Sequence, residues 1–378
     1  MLLCLASLIL LLASACGSER TIAEERAYRA AHSQGDILIG VAADPNGWMW
    51  KGIQMAVEEI NGAGGILGRQ VQVVQAYDES SATRAKLVAQ QFASNPDIVA
   101  VIGHWGSDMA IAASATYEFA GLLMLCPAAT SPKLTQQGFK LVFRISPSNE
   151  QVGPQLARFA ASQGYKRMMI VSAKDAYGRG LGNVFEMQAG KVGITIVDRV
   201  SYADGETDLG QFLGHWNELD FDAIFVAGTI PEVAYLVQQA RAMGITQPIL
   251  GGEGLATDDL MKIAGEAAEG TLATTYFHPD DPRPEVQRFR ASFEARYGVT
   301  PEVWAAQGYD AVYLLAYAME TAGSTVPTEV ADALRRVRGW PGVTGPHSFQ
   351  ENGDVVDKPI VLITVRNDAF EYYSGLGE

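Results

Sequence analysis

Cys126-Pro127-Ala128-Ala129-Thr130, continuing into Ser131-Pro132, is the stretch on which the fold of this chain turns. It follows a compact apolar run, Leu122–Leu125, of the kind that forms a strand buried on both faces of a parallel sheet. The run stops at a proline, two small residues and a hydroxyl. Ser131-Pro132 then opens a new segment, with serine at the N-cap and proline at the first helical position. In a doubly wound sheet, ligands sit just beyond the carboxyl ends of the strands. Alanines there let a ligand approach the backbone. Free N–H groups and the Thr130 hydroxyl together make a seat for a small carboxylate.

Outward from this turn, strands and helices alternate. Towards the N-terminus the periodicity predicts strands at Ile37–Ala42, Val71–Ala76 and Ile98–Ile102, with helices at Trp50–Ile60, Ala82–Ala93 and Asp108–Phe119. After a strand at Lys140–Ile145 and a break at Ser146-Pro147, a second set begins. Its strands are Arg167–Ser172, Ile194–Val197, Ala223–Val226, Pro248–Leu250 and Thr271–Tyr276. The helices between them are Val152–Ser162, Leu181–Gln188, Leu209–Asn217 and Glu232–Met243. Three helices follow, Glu285–Tyr297, Val303–Ala322 and Thr328–Val337, and the tail returns to strand at Pro359–Val365 and Phe370–Tyr373. Such βα repetition implies an α/β fold of two doubly wound parallel-sheet lobes.

The chain has 378 residues, enough for two such cores. A formal net charge of −15 leaves no basic face for nucleic acid. Met1 to Ala15 is almost wholly apolar but too short to span a bilayer, which takes about 20 residues. It reads as a signal peptide over 1–15, although no Lys or Arg precedes its apolar core. Ala13-Ser14-Ala15-Cys16-Gly17 resembles the bacterial lipobox, which implies lipidation at Cys16 and export to the periplasm or cell surface. Residues 16–35 then read as a lipid-anchored flexible tether, although Thr21 and Glu24 have capping-box spacing. Cys126 is the only cysteine in the body of the chain, so no disulfide framework or cysteine metal site is available.

Enzyme signatures are missing: no GxSxG elbow, no HExxH and no P-loop lysine motif. His32, His104, His215, His278 and His347 lack ligand spacing and read as loop or surface residues. No metal and no cofactor is expected. The glycines from Gly62 to Gly68 follow a helix rather than a strand, so they read as a helix stop and not as a dinucleotide loop. Three other strand ends stand out. Trp105-Gly106-Ser107 follows Ile98–Ile102, with Ser107 placed to cap the next helix. Tyr177, before Gly178, follows a strand of the second set, and so does Glu253, between Gly252 and Gly254. On the residues alone each of these is as readily a cap, a packed tyrosine or a solvated turn acid as a ligand contact.

Together these stretches resemble the leucine/isoleucine/valine-binding proteins of amino-acid ABC transporters, a branch of the type I periplasmic binding fold. The likeness rests on Glu58-Glu59-Ile60-Asn61 with Gly64-Gly65-Ile66-Leu67-Gly68, on Pro127 through Thr135, and on Gly252-Glu253-Gly254 with Ile263 through Gly270. It implies that Ser107, Thr130 and the backbone at Ala128 hold a ligand carboxylate, with Trp105, Gly106 and Ala129 beside them. It further implies that Glu253 takes the ammonium and that Tyr177 lies over the ligand. The side-chain end departs from the family. The loop at Asp44–Trp48 is short, so Trp48 or Trp50 supplies its aromatic; Thr229 replaces a tyrosine and Glu302 an aromatic. These departures point to a side chain more polar or larger than leucine. Gly106 also occupies one position of a disulfide that some members carry.

The resemblance implies discontinuous lobes joined by a three-crossover hinge, lobe 1 from 36–147 plus 278–350 and lobe 2 from 148–277 plus 351–378. The function implied is capture of a small amino acid between the lobes of a monomer and its delivery to an ABC permease. The only membrane contact expected is the lipid anchor. The other readings are a sensor for amides or aromatic acids on the same fold and, with less support, a secreted α/β enzyme.

Overall fold

Residues 20–375 are described by the computed structural model; the signal peptide and Cys16 lie outside them. The first half of the described chain runs α1 (Ile22–His32), β1 (Ile37–Ala42), α2 (Trp48–Gly62), β2 (Val71–Ala76), α3 (Ala82–Ser94), β3 (Ile98–Gly103), α4 (Ser107–Phe119), β4 (Leu123–Cys126) and β5 (Val142–Arg144). Its five strands form a parallel sheet in the order β2-β1-β3-β4-β5. Strands β3 and β4 are buried at every position, as helices on both faces require.

The same winding is then repeated. α5 (Asn149–Ser162), β6 (Arg167–Ala173), α6 (Ala176–Lys191), β7 (Thr195–Tyr202), α7 (Gly210–Leu213), β8 (Ala223–Ala227), α8 (Glu232–Ala242), β9 (Ile249–Gly251), α9 (Asp259–Ala264) and β10 (Leu272–Thr275) follow in order. The chain next returns to the first sheet with α10 (Pro284–Tyr297), α11 (Val303–Ala322) and α12 (Pro327–Arg336). A small antiparallel sheet of β11 (Trp340–Gly342), β12 (Gly345–Phe349) and β13 (Val355–Val356) leads to β14 (Val361–Arg366) and β15 (Ala369–Gly375). The second sheet has the order β7-β6-β8-β9-β10-β14-β15, antiparallel only at its last two junctions. Each sheet therefore changes winding direction once, between β1 and β3 in the first and between β6 and β8 in the second. Crevices at such switch points are where open α/β sheets bind ligands.

Helices α2 and α11 pack together closely enough that their glycines are obligatory. A Cβ on Gly52 would lie 1.9 Å from the Ala305 carbonyl oxygen, and one on Gly308 would lie 2.4 Å from that of Met49. Backbone, not side chain, is what the methyl would meet. This contact also fixes the first turns of both helices, which carry Trp48 and Trp304.

The structure corrects several expectations. The flexible tether does not describe Ile22–His32, which is a helix with both capping-box hydrogen bonds between Thr21 and Glu24. It is docked by Arg26, whose guanidinium is fully buried and donates to the carbonyls of Ile98, Ala93, Asn95 and Ala120. Only that tertiary contact decides for helix, and it lies some 70 residues away in sequence. The helix expected at Leu209–Asn217 shrinks to α7 and a 3-10 turn at Trp216–Glu218, where the Trp216 indole donates to Asp198 at 2.8 Å. Ser131-Pro132 opens only a 3-10 turn, Pro132–Leu134. His104 and His347 are fully buried rather than exposed; His104 lies between Asp78 and Tyr117.

Gly52→Ala is expected to destabilise the protein by about 1–3 kcal/mol through overpacking, outweighing the better helix propensity of alanine. Thermal unfolding of the full chain measures this; an unchanged or raised Tm would show that α2 and α11 can separate freely.

Candidate ligand-binding cleft

Every expected site residue lies at the carboxyl end of a strand, so the winding of the two sheets assembles the site. In the first lobe, Trp48 follows β1, Trp105, Gly106 and Ser107 follow β3, and Ala128, Ala129 and Thr130 follow β4. In the second lobe, Tyr177 follows β6, Thr229 follows β8 and Glu253 follows β9. All but Trp48 line one cavity of about 440 Å³. Trp48 lines an adjoining cavity of about 370 Å³ that shares Trp105, Thr229, Gly254 and Trp304 with the first. The two are one continuous cleft between the lobes. Trp50 does not line it; of the two aromatics considered for that position, Trp48 is the one placed there.

The first-lobe wall presents donors. Ser107 is not the N-cap of α4: Gly106 holds that position, and Ser107 is the first helical residue. Its hydroxyl oxygen accepts from the Ser131 N–H at 3.2 Å, which leaves its own O–H to donate elsewhere. The Thr130 hydroxyl is 1% exposed as a residue and has no partner. Beside them, the first N–H groups of α4 are unsatisfied within the helix and carry its positive end. Two hydroxyls and a helix N-terminus, walled by the buried Ala128 and Ala129, suit an anion.

The second-lobe wall presents an acid. Glu253 is 3% exposed, and its Oε2 has no hydrogen-bond partner. Burial pushes its carboxyl up to about 7, more strongly than the nearby Thr130, Tyr177 and Tyr276 hydroxyls pull it down. Glycines on either side allow this placement. A Cβ on Gly252 would lie 2.5 Å from the Tyr177 hydroxyl, and one on Gly254 would lie 2.3 Å from the Gly228 carbonyl oxygen. Tyr177 is itself buried, and its hydroxyl accepts from the Gly254 N–H at 3.4 Å. No lysine, arginine or histidine lines the main cavity.

The lobes touch around the cleft. The Ala176 N–H at the start of α6 donates to Asp108 in α4 at 3.0 Å, and the Asn149 N–H donates to the Thr130 carbonyl at 2.9 Å. At the far end Glu302, ahead of α11, accepts from the Thr257 hydroxyl and the Asp258 N–H, both at 3.2 Å. Among the described residues no group of His, Cys, Asp and Glu side chains is placed to hold a metal ion.

Sequence reasoning missed two contributors. Tyr276 directly follows β10, and its buried, unpartnered hydroxyl faces Glu253. The strand-end logic that found Tyr177 and Glu253 applies to it equally. Trp304 joins from the first turn of α11, edge-on to Trp105 with ring centroids 5.8 Å apart. Nothing local marks it, because it reaches the cleft only through the return of the chain to the first lobe.

Residues 38–369 match the family model described as periplasmic binding protein. The Leu/Ile/Val-binding protein of Escherichia coli is 32% identical over 310 residues, 80% of this chain and 82% of that one. An ABC transporter substrate-binding protein from Desulfitobacterium hafniense, solved in complex with Leu, is 40% identical with a TM-score of 0.80, covering 89% of this chain and 100% of that one. A leucine-binding protein from Thermotoga maritima is 31% identical with a TM-score of 0.85, covering 90% and 98%. With two switch-point sheets facing one cleft, and with kinship over nearly its whole described length, the chain belongs to the Leu/Ile/Val-binding protein family of type I periplasmic binding proteins.

Proposed function

We propose that the chain is the substrate-binding component of a branched-chain-type amino-acid ABC importer, catching an amino-acid zwitterion between its lobes and presenting it to a membrane permease. One observation carries this reading. Glu253 Oε2 and Thr130 Oγ1 come from opposite lobes, face one cleft, and are both buried without a well-formed hydrogen bond, the hydroxyl close enough only to ease the ionisation of the acid. A ligand with an ammonium and a carboxylate on one carbon satisfies both. The ammonium pairs with Glu253, and the carboxylate takes the Ser107 and Thr130 hydroxyls and the N-terminus of α4. The relatives that carry leucine in their names or in their complexes support an amino acid as that ligand.

The same unpaired groups explain why ligand drives closure. Burying an ion costs several kcal/mol unless it is paired, so the empty cleft resists closing and the zwitterion removes the resistance. A permease can then tell loaded from empty protein by shape. We further infer that Cys16 is the lipidated N-terminus of the mature, periplasmic or surface-held protein. The docked helix α1 starts at Ile22, so residues 17–21 alone would separate lipid from folded body. Five residues span at most about 18 Å, which holds the body close to the membrane.

Glu253→Ala is expected to weaken L-leucine binding by roughly 3–5 kcal/mol, two to four decades, because it strands a buried ammonium. Titration calorimetry reads this directly, and a loss below tenfold removes Glu253 from the site.

Acidity should also close the empty cleft. In the closed arrangement Glu253 titrates at about 7, against about 4.3 for a solvated glutamate. Above pH 7 the carboxyl is ionised in both forms and its full burial penalty opposes closure. As pH falls from 7 towards 4.3, the closed form takes up a proton and the penalty is withdrawn, so the ratio of closed to open protein rises by up to about two to three orders of magnitude. Glu302, pushed by burial to about 7 as well, acts in the same direction. Dyes at the exposed positions Leu87 and Met187, one in each lobe, report the distance in ligand-stripped protein. A separation that stays constant between pH 8 and pH 5 contradicts this account.

Lipidation is checked by labelled palmitate in the producing bacterium. The label is expected in the wild-type chain and absent from Cys16→Ala; equal labelling of both moves the anchor elsewhere.

A further inference from the structure

Like the main cavity, whose lining holds Asp108, Asp175, Asp204, Glu232 and Glu253, the second cavity into which the cleft continues is acidic. Four carboxylates border it, Asp44, Asp78, Asp259 and Glu302, and no lysine, arginine or histidine does. The indoles of Trp105 and Trp304 and the ring of Tyr77 share the remaining wall with the aliphatic Met49, Met109, Ile230, Pro231 and Ile263. Trp48 is there too, although the Lys51 ammonium already sits 4.8 Å from its ring centroid. Two of the acids are answered from within the protein. Asp78 faces His104, and Asp259 pairs with Lys262 at 2.8 Å. The other two have no cation. Asp44 accepts only the Asn46 N–H, at 2.9 Å, while Glu302 spends Oε1 on Thr257 and Asp258 and leaves the buried Oε2 without a partner.

A wholly aliphatic side chain satisfies only the apolar part of this lining. Enclosing leucine there would bury uncompensated carboxylates against methyl groups, which costs free energy with no return. Aromatic faces together with unpaired carboxylates are what an organic cation seeks. The distance from the zwitterion seat is bridged by neutral surface: Thr229, Ile230, Pro231 and Gly254 line both cavities. A ligand reaching from Glu253 and Thr130 into this cavity therefore needs an apolar stem and a charged tip.

We propose that the cleft selects an amino acid whose side chain ends in a second positive charge, an ammonium or guanidinium held by Glu302 and Asp44 against the Trp105–Trp304 pair. The inference rests on the amino-acid reading above and specifies the far end of the same ligand. The elevated pKa of Glu302 fits it, since a carboxyl held near neutrality for want of a cation is poised to ionise when one arrives.

The test is titration calorimetry on the full chain with L-arginine, L-lysine, L-citrulline, L-norleucine and L-leucine. Citrulline keeps the length of arginine, and norleucine the carbon chain of lysine without its terminal nitrogen; both lack the charge. Arginine or lysine is expected to bind at least tenfold more tightly than its neutral counterpart. Glu302→Gln and, separately, Asp44→Asn are each expected to narrow that ratio at least threefold. Binding of leucine or norleucine as tight as or tighter than that of both cationic ligands overturns the proposal and leaves the amino-acid reading standing. A cationic preference that neither substitution narrows overturns the assignment to these residues. Failure of all five ligands to bind overturns the amino-acid reading and the proposal with it.

Discussion

A carboxylate buried at 3% exposure with no cation beside it is an unfavourable arrangement, and the organisation of this protein follows from it. Glu253 cannot turn away from the cleft within its own lobe, because the turn that carries it is locked between Tyr177 and the Gly228 carbonyl by glycines that no other residue can replace. Nor is its charge neutralised from within. The groups around it are hydroxyls, which ease its ionisation only in part. The first lobe opposes it with donors and a helix N-terminus. The two walls are complementary to a dipolar guest and poorly complementary to each other, so the favourable state of the cleft is the one with a guest in it.

The two-sheet architecture supplies this geometry economically. Both sheets are wound the same way, so equivalent strand ends carry equivalent loops: the loops after β3 and β4 on one side, after β6, β8 and β9 on the other. What differs is the chemistry at those ends. Small residues and hydroxyls follow the first-lobe strands, and a tyrosine and a glycine-flanked glutamate follow the second. The side-chain end is built differently. It depends on the contact of α2 with α11, where backbone meets backbone at Gly52 and Gly308 and thereby places Trp48, Glu302 and Trp304 around one space.

How much of this could be read beforehand depended on how local the cause was. Strands β3 and β4 announced themselves as short apolar runs ending in glycine or proline, and the strand-end rule then pointed to Ser107, Thr130, Tyr177 and Glu253 without knowledge of any contact. The residues alone left each of these balanced against a structural role, and the resemblance tipped them. Where the cause was tertiary, the reading failed. Helix α1 shows a capping box in sequence, but four backbone carbonyls gathered around Arg26 hold it in place, and no pattern near Arg26 reveals them. His104 looked like a loop residue because it follows a strand; it is buried because Asp78 and Tyr117 give both ring nitrogens partners. The polar character of the far cavity was half visible in Thr229 and Glu302, while Asp44 and Tyr77 enter it only through the fold of the first lobe.

The chain passes between the sheets after β5, after β10 and after β13, and buried charge pins the passages to one another. Arg144, fully buried at the end of β5, donates to the Ser131 carbonyl at 2.6 Å and pairs with Asp354, just ahead of β13 on the approach to the third passage. Lys358, further along that passage, reaches back to the Ile145 carbonyl at 2.9 Å on the first passage and to the Thr344 hydroxyl at 2.7 Å. Burial lowers its ammonium to about 7 even with Asp310 nearby. Breaking either cluster would leave a buried ion unpaired, which is far costlier than turning a few backbone dihedrals. The passages are thus held in register while the lobes they join are tied only by scattered contacts around the cleft, such as Asp108 to Ala176 and Glu302 to Thr257. Rotation about a fixed seam is the motion this arrangement leaves easiest. On the function proposed above, it is also the motion that would bring Glu253 and Thr130 to opposite ends of one small molecule.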